Sequence, residues 1–175
     1  MQNISWQDLE EIKALKSQYF YWLDMQQWTA LRSLFTDNAE FEGFPFEMDG
    51  PDAWVHGVQR FFDGVVTQHR GAMPHFQEVT ADRVKGRWSM TDYLTWQPGS
   101  RTYRGIAIPG MYGIHGYGYY EEEYVRTPSG WRIAFMRLTR VRIDPLAGSH
   151  VPTPDYDVIP PTISWLEPVK TGADY

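Results

Sequence analysis

A few side chains in this 175-residue chain stand where packing alone would want apolar groups. Tyr19 lies near the centre of an apolar helical stripe of Ile12, Leu15 and Leu23. Its hydroxyl therefore points toward the core and needs a partner. Asp24 follows at the end of the same run, beside Phe20. A helix C-terminus does not favour a carboxylate. Asp92 shares a period-2 row with Val84, Gly86, Trp88, Met90, Leu94 and Trp96. One carboxylate thus interrupts an apolar face, which is costly unless it is paired or protonated. A bulge that turns Asp92 outward is the alternative. Of the five histidines, His69, His75 and His115 fall in strand-like segments, while His56 and His150 read as surface residues. A neutral imidazole beside a carboxylate is the usual general base, so these residue types point to proton transfer. Nothing has metal-ligand spacing, so no metal is expected.

The elements that must carry these residues follow from local signals. Ser5 and Asp8 resemble a capping box ahead of a first helix through Leu23. A short second helix is expected over Trp28 to Phe35, then a strand over Glu40 to Phe44. Gly50-Pro51 opens a third helix that runs to about Phe62. Long strands are expected over His69 to Thr80, Val84 to Trp96, Met111 to Arg126 and Trp131 to Ile143. Turn chemistry separates them at Asp82-Arg83, Pro98-Gly99-Ser100 and Pro128-Ser129-Gly130. Helices first and antiparallel strands after is an α+β order, with the helices gathered on one sheet face. Residues 1–144 read as one domain and 145–175 as a proline-rich extension, either disordered or, given its apolar residues, an ordered strap across a neighbouring surface.

Composition narrows the function. There is no cysteine, which removes disulfides, zinc–thiolate sites and thiol nucleophiles. A net charge of −6 argues against nucleic acid or an anionic membrane as partner. No apolar run approaches a membrane span and no leader pattern is visible, so a cytoplasmic location is expected. Eight Trp, eleven Tyr and nine Phe make 16% of the chain aromatic, which predicts a core or pocket built of rings.

The opening segment Glu11 to Asp24, with Trp28, Leu31 and Leu34-Phe35-Thr36-Asp37-Asn38-Ala39, resembles the SnoaL-like proteins of the NTF2-like superfamily. The resemblance covers residues 8–144 and implies a cone-shaped α+β barrel (the cystatin-like fold) with a deep pocket. His69-Arg70-Gly71, Pro74, Gly86-Arg87-Trp88 and Asp92 are most similar to the bile-acid 7α-dehydratases. Hexachlorocyclohexane dehydrochlorinase and scytalone dehydratase are also similar. The resemblance implies a catalytic pair of Asp24 and His69, with Tyr19, Asp92 and Arg142 completing the site. His75 is the rival for His69, although spacing to Gly86-Arg87-Trp88 favours His69. Phe20, Trp88, His75, His115 and Tyr120 are the candidate substrate contacts. The chain departs from the family through Arg101 to Tyr120, which is longer and rich in aromatics and glycine.

The function this implies is a cofactor-independent lyase of dehydratase type, acting on a hydrophobic, ring-containing substrate. A polyketide cyclase or isomerase, or a deformylating aryl lyase, would use the same pocket. A non-catalytic binding module or dioxygenase small subunit is the non-enzymatic alternative. The nearest families imply a homo-oligomer, trimer or dimer.

Overall fold

The computed structural model describes residues 4–46, 48–77 and 80–148. Three helices, α1 (Trp6–Asp24), α2 (Trp28–Arg32) and α3 (Gly50–Phe61), pack on one face of a five-stranded sheet. The strands are β1 (Phe35–Glu42), β2 (Val65–Gln77), β3 (Arg83–Trp96), β4 (Met111–Thr127) and β5 (Gly130–Ala147). Their order is β1-β5-β4-β3-β2, with β1 parallel to β5 and every other pair antiparallel. The architecture is the expected α+β cone, but the sheet is open, with β1 and β2 as its edges. Residues 149–175, and with them His150 and nearly all of the proline-rich extension, lie outside the described residues.

The capping box of α1 forms as the sequence indicates. Ser5 Oγ accepts from the Asp8 N–H, and the Asp8 carboxylate accepts from the Ser5 N–H at 2.9 Å. Asp8 also accepts from Arg126 and from the Trp131 indole, so the cap fastens α1 to the β4–β5 hairpin. These donors hold its carboxyl well below the usual range, although burial opposes them.

The second helix is shorter than expected. It ends at Arg32, and Phe35 already begins β1. The Ile133 N–H donates to the Leu34 carbonyl at 2.9 Å, which draws the chain into the sheet one turn early. Phe35 then packs edge-on to Trp54 of α3, and Phe41 stacks on the same indole with ring centroids 4.8 Å apart. Rings at these separations add about 0.5–1.5 kcal/mol per pair beyond their buried area, so the α3–β1 contact is fixed by aromatic packing.

Two bulges reset which side chains face the helices. Between Ala72 and His75 on β2 the register slips, with Met73 at φ +52°. On β5, Gly118 pairs with Arg140 and Tyr117 with Arg142, so Val141 is the extra residue. Side chains alternate faces along a strand, and each bulge breaks that count.

Candidate active site

The concave side of the sheet and the helices enclose a cavity of about 760 Å³. That is the size of a small-molecule site. Aromatic lining comes mainly from Phe44, Phe46, Trp54, Phe61, Phe62 and Trp96. Of the tyrosines in and around the long β3–β4 region, Tyr103 and Tyr120 reach it, and Tyr112, Tyr117 and Tyr119 do not. The rings that define the pocket therefore belong largely to α3 and the residues flanking it, not to the family-divergent segment.

Behind its inner wall Asp24 meets His69, which lines the cavity. Asp24 Oδ1 accepts from His69 Nδ1 at 2.7 Å and from the Thr67 hydroxyl at 2.8 Å. Its Oδ2 accepts from the His69 backbone N–H at 2.8 Å. Three donors from β2 thus offset the poor placement of a carboxylate at the end of α1. Val65, Thr67 and His69 share the buried face of β2, which is why one carboxylate can reach both functional side chains. Since the carboxylate can only accept, Nδ1 carries the proton, so the neutral ring would hold its lone pair on Nε2. His69 is 7% exposed and lines the cavity, with Nε2 3.8 Å from Asp92 Oδ2.

Asp92 is 1% exposed, in the apolar row where the alternation puts it. Both of its oxygens accept from Arg140, one at 2.6 Å. It is therefore the acceptor in its contact with Arg140. Burial lowers the Arg140 pKa, but hydrogen bonds and charge from Asp92 outweigh that and raise it overall. Gly116 of β4 lies between the two strands that carry this pair. A Cβ there would run into both Asp92 Oδ1 and Arg140 Nη1.

Arg142 is not in the pocket. Its side chain is 70% exposed and donates to Asp144. The bulge at Val141 is the reason: Arg140 pairs inward opposite Gly118, and Arg142 lands on the outer face opposite Tyr117. The bulge in β2 does the same to His75, which is exposed and opposite Arg87. His115 also lies outside the cavity lining, between the rings of Tyr93 and Tyr117.

Tyr19 and Tyr120 line the cavity, with their rings packed edge-on at a centroid distance of 5.8 Å. Burial, the largest influence, pushes both phenols well above their ordinary values and keeps them protonated. Phe20 and Trp88 sit behind this wall. Phe20 packs on Tyr19 and Tyr120, and the Trp88 indole donates to the Tyr124 hydroxyl at 2.8 Å.

Sequence reasoning missed a second buried cluster. Lys16, 0% exposed, donates to Glu122 at 2.5 Å, and the Tyr124 hydroxyl donates to the same carboxylate. The Lys16 ammonium lies 3.9 Å from the Tyr19 ring centroid and 3.8 Å from that of Tyr120. Burial lowers its pKa to about 8, with Glu122 opposing the shift. The signal was present: Ile12, Lys16, Tyr19 and Leu23 follow helical spacing, with a lysine inside the apolar stripe.

Comparison with known proteins agrees with the architecture. Residues 5–137 match the SnoaL-like domain family, and the chain belongs to that family. Among solved structures, a hexachlorocyclohexane dehydrochlorinase (LinA, type 2) is 22% identical, with a TM-score of 0.67. The match covers 82% of this chain and 92% of that one. LinA type 3 from Novosphingobium barchaimii is 23% identical, with a TM-score of 0.65, over 82% of this chain and 92% of that one. A candidate scytalone dehydratase from Novosphingobium aromaticivorans is 20% identical, with a TM-score of 0.64, over 82% and 90%. At these identities the likeness is one of fold.

Proposed function

We propose that this protein is a cofactor-independent lyase that eliminates water or a comparable leaving group from a ring-containing substrate. The observation that carries the reading is the Asp24–His69 contact, which protonates Nδ1 and leaves a basic Nε2 on a cavity wall. His69 Nε2 takes a proton from carbon. The released electron pair becomes the new double bond, and the leaving group departs with its own bonding pair. Asp24 stabilises the imidazolium that forms. Tyr19 and Tyr120, kept protonated, donate to the departing or developing oxygen, and Arg140, held by Asp92, lies beside them. Structural neighbours named as a dehydrochlorinase and a candidate scytalone dehydratase support an elimination.

The test is a panel of ring-bearing β-hydroxy carbonyl compounds, read by product mass. Loss of water is the expected outcome, and conversion with unchanged mass overturns the elimination. On the converted substrate, His69→Ala and Asp24→Asn should each cut turnover about 10²–10⁴-fold. Full activity in His69→Ala removes the base assignment.

A further inference from the structure

The chain is net acidic, yet no Asp or Glu is among the described residues that line the cavity. Its charged lining, besides the titratable His69, consists of Arg101, Arg104 and Arg140. Arg140 is neutralised by Asp92. The other two have no carboxylate partner among the described residues. Arg101 donates to the Asp63 backbone carbonyl at 2.7 Å, and its guanidinium lies over the rings of Phe61 and Trp96. A backbone carbonyl orients a guanidinium without cancelling its charge. Among the described residues, the Arg104 guanidinium lies over the Tyr103 ring, 5.5 Å from its centroid.

The backbone beneath Arg104 adds a second observation. Tyr103 and Ile106 exchange both backbone hydrogen bonds at 2.9 Å, closing a two-residue turn over Arg104 and Gly105. Both turn residues have positive φ, +50° and +79°. Such a turn prefers Asn or Asp followed by Gly. An arginine there costs the turn its favoured first residue and places a cation at the exposed opening of the cavity.

We infer that the cavity takes an amphipathic anion: an apolar ring body inside, and an acid group such as a carboxylate held at the opening by Arg101 and Arg104. This deepens the proposed function, on which it rests only for the claim that the occupant is the substrate. Opposite charges at the opening also steer the ligand inward, which a neutral rim would not do.

Binding tests it directly. Naphthylacetate and pyrenebutyrate are titrated against their neutral amides by tryptophan quenching, at low and high salt. At low salt the acid of at least one pair should bind about fivefold tighter than its amide, a preference of the size an exposed ion pair gives. High salt should erase that preference. In Arg104→Gln the preference should shrink while amide affinity stays unchanged, Arg101→Gln/Arg104→Gln should abolish it, and Arg104→Lys should restore most of it. Equal binding of acid and amide, no binding of either acid, or an undiminished preference in the double variant overturns the inference. His69→Ala keeps the acid preference if the inference holds. An active His69→Ala that keeps the preference would sink the lyase mechanism and leave the binding assignment standing.

Discussion

Arg140 and Arg142 differ by two positions and have opposite fates. Arg140 faces a carboxylate that is fully buried, and Arg142 lies on the outer surface. Arg140→Met strands the Asp92 charge in the core and should cost about 3–5 kcal/mol. Arg142→Ala should stay within about 0.5 kcal/mol of the parent. Urea unfolding of both variants checks the pair. Had the roles been the reverse, the stability losses would be exchanged. Most of the inner wall was readable at this scale. Tyr19 and Asp24 betray themselves by lying on or beside an apolar stripe, and Asp92 by interrupting an apolar row. Arg140 does not, because Leu138-Thr139-Arg140-Val141-Arg142-Ile143 alternates evenly for either arginine. A bulge absorbs one residue without leaving a compositional mark there.

Strands and helices position the site through close approach, and Gly116 shows how tightly. Its missing side chain is the space through which β3 and β5 exchange their charges across β4. Gly116→Ala should lose about 1–3 kcal/mol through overpacking. It should cut turnover further than that loss explains, which activity measured well below the melting temperature would reveal. Unchanged turnover would mean that the Asp92–Arg140 geometry does not matter to catalysis. The elements themselves were largely legible: the α1 cap, the proline start of α3, and the four long antiparallel strands all carry local signals. The early start of β1 at Phe35 was not, because it depends on Ile133 far along the chain. The outward turn of His75 was equally hidden, since it hangs on the register slip after Ala72.

For the molecule as a whole, stability should depend on pH through groups that burial has shifted in opposite senses. Below pH about 8, Lys16 is charged in both the folded and unfolded chain. Between about 8 and the ordinary lysine value of 10.5, the unfolded chain binds a proton that the folded chain has released. Stability contributed by this group therefore rises with pH across that window. Tyr19, Tyr120 and Tyr124 act the other way. Held protonated by burial, they make stability fall once unfolded tyrosines ionise above 10.0. Urea midpoints across this range should show the rise in the parent and not in Lys16→Met/Glu122→Gln. Parallel curves would mean that Lys16 keeps an ordinary lysine pKa despite its burial.

The parallel pairing of β1 with β5 also governs how the molecule comes into being. During synthesis, Phe35 and Phe41 leave the ribosome long before Ile133 and Met136, the residues that complete their ladder. For that interval β1 can lean on α3 but has no strand beside it. Non-local pairings of this kind are slow to form and expose an apolar edge meanwhile. The Asp92–Arg140 pair waits for the same final strand. The Arg140 charge beside the Asp24–His69 pair is therefore in place only once the last hairpin closes.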